Sequence, residues 1–336
     1  MPSAGCTSSP TIRRQPASSP DVHPDDGPLP LDLHAFGRWL AFLAIFALIG
    51  TCVFATLIPR WRGPRDDDRS LAARALHGAW QVAVGATGVL LLAHFIRAWG
   101  QVHSFLDPGE ALTWEAARPV LLSTAWGRGW LAQVSAATLA LPIALTGRRW
   151  PHIGLALLGT AVLLIVAAAP FTGHSVENPW GRQLGIGLHA LHLLGGGVWL
   201  GSLFTMLIAG LRAARTSGQE SAEDAWAVAR MVRTFSPVAL AGAAMATGAG
   251  ALLAFAYIGD LTSLLHTRYG QTLLVKLALL ALTLALGAWN WRRVVPRLGT
   301  PESSRELRRS AMVELTFGGL LLVATAVLVA LPAPKV

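Results

Sequence analysis

An all-α fold, a polytopic membrane helix bundle of about eight transmembrane helices with both termini extracytoplasmic, is what this sequence predicts. Three observations carry the prediction. The 336 residues are 53% hydrophobic and only 13% charged, whereas a soluble domain carries roughly 25% charged residues. Apolar stretches of the length that crosses hydrocarbon as a helix, about 20 residues, recur along most of the chain. The basic residues collect in alternate connections between those stretches, the distribution charge takes when it sets membrane orientation.

Residues 1–36 are rich in Ser, Pro and Asp and poor in apolar side chains. That composition predicts a disordered extracytoplasmic tail, and residues 37–333 are the transmembrane domain. The Arg13-Arg14 pair has no apolar stretch close behind it, and the run from Trp39 lacks a small-residue cleavage site. It reads as a retained span, not a removable signal. Spans are expected over 38–59, 74–99, 127–147, 151–170, 184–211, 235–258, 271–291 and 311–331. A tight turn at Gly147-Arg148-Arg149 separates the third and fourth, and loop prolines such as Pro59, Pro108 and Pro179 punctuate other boundaries. Cys6 and Cys52 lie far apart with no CxxC, so no disulfide is expected.

Seventeen arginines sit in the connections after spans 1, 3, 5 and 7, against nine basic residues on the opposite side with both termini included. The richer side stays cytoplasmic. The net charge of +9 is therefore topogenic and is no sign of nucleic-acid binding. Orientation fixed in this way puts eight of the ten histidines on or near the outer side, leaving His77 and His152 cytoplasmic. His23 and His34 fall in the tail, and His103, His174 and His266 in outer loops.

His94, His189 and His192 fall five to eight residues inside the outer ends of their spans. An ionisable side chain at that depth is costly unless it binds or pairs with something, and imidazole is the commonest side-chain metal ligand. His189 and His192 are spaced i, i+3, so both rings leave one helix face and can reach one ion. The glycines around them, including Gly185, Gly195, Gly196, Gly197 and Gly201, suit close helix approach. The plainer alternative is a pair of interhelical hydrogen-bonding histidines. His94 is the expected third ligand, with an interfacial histidine beside Arg97 and Trp99 as its alternative, and His174 is a further ligand or a capping loop residue.

His192, Trp199 and Met206 recur every seven residues on one stripe, with Met206 about 21 Å below His192 at ~1.5 Å per residue. A thioether suits Cu(I), so the stripe reads as a relay toward the cytoplasm or as ordinary packing. Asn290 and Glu314 lie near the inner boundary and form either an exit site or a structural polar contact. Lys276 lies level with the histidines. Its ammonium is expected to snorkel outward or to pair with a carboxylate such as Asp260 or Glu110. No P-loop, Gly-rich nucleotide fingerprint or HExxH is present, and the chain does not read as an enzyme.

The ordered set of Gly173-His174, the His189–Gly201 stretch with its Val-Trp-Leu-Gly, Tyr269-Gly270 leading through Lys276 to Asn290, Glu314 and the terminal Leu331-Pro-Ala-Pro resembles the copper resistance D (CopD) family of bacterial inner-membrane proteins. The resemblance spans most of residues 75–334. It implies copper ion transport or copper homeostasis at the bacterial plasma (inner) membrane, with Cu(II) or Cu(I) as the bound ion. It also implies a periplasmic copper-binding partner of the CopC type, here expected as a separate protein because no such β domain is fused. The residues alone imply a metal or a haem, and two alternatives stay open. One is a membrane protein holding haem b between two histidines; the other is an assembly factor that delivers copper to a respiratory oxidase.

Overall fold

The computed structural model describes residues 33–63, 66–107, 110–173, 178–214, 222–258 and 261–331. Eight helices in it are long and apolar enough to cross a membrane. They are α1 Leu33–Trp61, α2 Arg69–His103, α3 Ala125–Arg149, α4 Pro151–Thr172, α5 Arg182–Ala213, α6 Ala225–Tyr257, α7 Arg268–Arg297 and α8 Glu302–Ala330. Each expected span is there, and no strand occurs among the described residues. The helices run past the expected ends, most of all where α6 and α8 begin. Hydropathy marks where a helix leaves the hydrocarbon, whereas the backbone hydrogen bonds continue into charged sequence with good helix propensity. The expected tail accordingly gives way to helix earlier than Gly37: residues 33–36, with His34, belong to α1. The rest of the tail lies outside the described residues.

Local chemistry sets several of the starts. The hydroxyl of Thr124 accepts from the N–H of Gly127 at the head of α3, and Thr267 does the same for Gly270 at the head of α7. Thr300 and Ser303 form a reciprocal capping box before α8. The α3–α4 turn is a short 3₁₀ segment, Gly147–Arg149, in which Gly147 and Gly154 leave no room for a Cβ between the two helices.

α5 is the most buried of the eight and α7 the least. The reason lies in its glycines. A Cβ at Gly201 would collide with the carbonyl of Phe46, and one at Gly50 would collide with the backbone of Gly201, so α1 and α5 cross backbone to backbone. Gly195 approaches Gly242 and Ala246 of α6 in the same way. Small residues replace hydrophobic driving force as the basis of helix association in lipid. Around this crossing, Ile45, Leu48 and Ile49 of α1 pack with Ala83 and Leu90 of α2, Ala137 of α3 and Leu158 of α4. Two stretches of α5 are wound as π-helix, Gly197–Gly201 and Met206–Gly210, and a third such stretch, Asn290–Val294, lies in α7. π-turns of this kind gather at functional sites. Here they hold Trp199, Met206 and Asn290.

Candidate functional site

Two cavities lie one after the other along α5. The first, of about 200 Å³, is lined by His189 and His192 together with Lys276 of α7. Its other polar lining groups among the described residues are the Trp199 indole and the hydroxyls of Thr247, Tyr257, Tyr269 and Thr325. The second, of about 380 Å³, is lined by Trp199, Met206, Asn290 and Glu314, together with Ser236, Arg292 and apolar side chains. Trp199 lines both and stands between them. The seven-residue stripe is thus realised in space: His192 and Trp199 share one cavity, and Trp199 and Met206 share the next.

His192 is set for ligation by its neighbour. Its Nδ1 lies 2.7 Å from the carbonyl oxygen of Ala246. A carbonyl only accepts, so Nδ1 carries the proton and the neutral ring keeps its lone pair on Nε2. A backbone acceptor on the far nitrogen is the usual outer support of a metal-bound imidazole. Gly250 makes the ring's position possible, because a Cβ there would sit 2.7 Å from the imidazole. His189 faces the same cavity and also borders a small pocket containing Arg38, Arg97, Gln133 and Thr172. No hydrogen bond engages His189 or Lys276 among the described residues. The carboxylate expected for Lys276 is not Glu110, which instead accepts from the Asp107 N–H at 3.1 Å; Asp260 lies outside the described residues.

The inner cavity has a different chemistry. Glu314 is 5% exposed, and each of its oxygens takes one hydrogen bond. The Trp199 indole donates to Oε1 at 3.2 Å, and Asn290 Nδ2 donates to Oε2 at 3.0 Å. Gly287 allows the carboxylate to lie close against α7. The amide oxygen of Asn290 is buried and has no partner. A carboxylate and an unused amide oxygen thus face a space that Ser236 and Arg292 also line.

His94 is 1% exposed and neither ring nitrogen has a partner. Its carbonyl accepts from the Trp130 indole at 3.0 Å. It does not line the cavity of His189 and His192, and among the described residues no three His, Cys, Asp or Glu side chains gather as a metal site. The three-histidine pocket expected from helix depth is therefore not assembled here; the pair is. His174 lies outside the described residues. Sequence reasoning passed over Arg97 and Gln133, both buried. For Gln133 the signal was the one His94 gave, a single polar side chain deep inside an apolar span.

Residues 31–184 match the family described as Copper resistance protein D-like, N-terminal domain, and residues 229–328 match Copper resistance protein D. The chain belongs to the copper resistance protein D family. It is also 29% identical over 314 residues to the Copper transport protein CutJ of Bacillus subtilis (strain 168), a match covering 89% of this chain and 53% of that protein. The chain thus spans about half the length of the curated relative it matches. No solved structure matches. Within this copper resistance D chain, Lys276, Asn290 and Glu314 fall inside the C-terminal match and His94 inside the N-terminal one. His189, His192, Trp199 and Met206 fall in the stretch 185–228 between the two.

Proposed function

We propose that this protein transports copper across the bacterial inner membrane, with the ion as its substrate. His189 and His192 take up the ion from the extracytoplasmic side, and the cavity of Trp199, Met206, Asn290 and Glu314 is its exit. The observation that carries the reading is the pair of cavities along α5, each lined by side chains of kinds able to ligate copper and both bordered by Trp199. Family membership and the likeness to a protein named for copper transport support the choice of metal. Imidazole suits copper in either oxidation state, and the Met206 thioether favours Cu(I). The pair of imidazoles, not the expected trio with His94, is the core of the site, and His174 is the candidate for a further ligand. A CopC-type periplasmic protein is the proposed donor. The outer cavity, at about 200 Å³, lies below the roughly 300–1,000 Å³ of pockets for larger organic ligands, which supports an ion over a haem.

Metal analysis with a visible spectrum on detergent-purified protein tests the reading. About one copper per chain is expected, as a single coordination pocket implies, with loss of that copper in the His189→Ala, His192→Ala double variant. Stoichiometric copper retained by the double variant overturns the site. An intense Soret band replaces it with a haem site, and binding without uptake into proteoliposomes leaves a delivery factor in place of a transporter.

A further inference from the structure

We propose that the basic end of the bundle holds one anionic glycerophospholipid, its headgroup between α2 and α5 and an acyl chain in a groove between α1, α2, α5 and α8. A cavity of about 680 Å³ lies between α2 and α5 and carries Arg74, His77, Gln81 and Arg212. Arg148, from the α3–α4 turn, is hydrogen-bonded to Nδ1 of His77 and adds a third guanidinium at the same end. Arg74 bonds to the Ala213 carbonyl and the Ser70 hydroxyl. Among the described residues no carboxylate pairs with Arg74, Arg148 or Arg212. A cavity with several guanidinium groups and no acid is complementary to a phosphate ester.

The second half of the site is apolar. A groove of about 680 Å³ continues from this cavity, the two sharing Val82 and Ile208. On α8 it reaches from Met312 to Leu322, about 15 Å at ~1.5 Å per residue, which is half of a hydrocarbon core about 30 Å thick. One acyl chain of one leaflet has that reach. Its only polar lining side chain among the described residues, Thr316, already donates to the Met312 carbonyl. Two glycines on its wall, Gly85 and Gly319, meet nothing within 4 Å of where a Cβ would stand. Gly50 and Gly201 let helices touch, whereas these two leave space unfilled. A general coat of lipid needs no such recess; a chain held below a fixed headgroup does.

Native mass spectrometry of the purified full chain, titrated with phosphatidylglycerol or phosphatidylcholine, tests this. One phosphatidylglycerol per chain is expected to persist, bound on the order of tenfold more tightly than phosphatidylcholine. The Arg74→Gln, Arg212→Gln variant should lose that preference. Gly85→Leu, which fills open space and so leaves packing unstrained, should weaken both lipids. Glycerol 3-phosphate should not displace the lipid. Equal retention of the two lipids by the unaltered protein overturns the proposal, as does a Gly85→Leu variant that binds unchanged. Displacement by glycerol 3-phosphate at matching concentration reduces the site to one for free phosphate esters and overturns the acyl groove. None of these outcomes bears on copper.

Discussion

The two cavities along α5 differ in what their polar atoms are already doing. In the outer one, His192 has one ring nitrogen tied to Ala246 and the other left with its lone pair, and among the described residues His189 and Lys276 have no hydrogen-bond partner. In the inner one, both oxygens of Glu314 are engaged by Trp199 and Asn290. The outer cavity offers an imidazole nitrogen that no hydrogen bond engages among the described residues. In the inner cavity the Glu314 carboxylate is hydrogen-bonded at both oxygens, the arrangement that makes it tolerable when buried, while the Asn290 amide oxygen is left open. An ion that arrives there competes with two hydrogen bonds, whereas an ion entering the outer cavity displaces none. On the proposed reading, the contrast separates capture from passage.

Passage should fail most sharply at the carboxylate. Glu314→Gln keeps the shape and removes the negative charge; copper uptake into proteoliposomes is expected to fall by an order of magnitude or more while copper binding by the purified protein stays intact. Equal loss of binding and uptake would merge the two cavities into one site. Lys276→Met sharpens the other half of the comparison. The ammonium lines the same cavity as both imidazoles and repels a cation there, so its removal should tighten copper binding by about tenfold, or ~1.4 kcal/mol, in a competition titration against a chelator. Gly250→Ala pushes against the His192 ring and should weaken copper binding several-fold, up to roughly tenfold, with the bundle's helix content unchanged by circular dichroism. The smallest effect is expected of Trp199→Phe, which loses only the indole bond to Glu314. Stability should drop by about 1 kcal/mol in a thermal melt, and Asn290→Leu in the same background should show coupling in a double-mutant cycle.

The span centres were legible because hydropathy and the charge between spans are properties of local sequence. Depth was legible too: counting residues from a span's end put His189, His192 and Lys276 at one level, and all three line one cavity. Azimuth was not legible. His94 has the right depth and faces elsewhere, because nothing in the spacing of residues on α2 says which neighbour its ring will meet. The link of Trp199 to Glu314 joins residues 115 positions apart and was beyond any local pattern, although the seven-residue stripe did identify Trp199 and Met206. The π-turns at Gly197–Gly201 and Met206–Gly210 were equally hidden. In the pocket of Arg38, Arg97 and Gln133, only Gln133 lies well inside an apolar run; the two arginines stand at span ends, where charge is ordinary.

The Gly50–Gly201 contact has a mechanical corollary. A rod that meets its neighbour near mid-length, with no side chain between the two backbones, has its closest approach fixed at that point. Gly201 lies two residues from Trp199, so the contact stands at the level of the partition, with His192 on one arm of the helix and Met206 on the other. Any rocking of α5 about that fulcrum swings the arms in opposite senses, and room gained at one end of the helix is taken from the other.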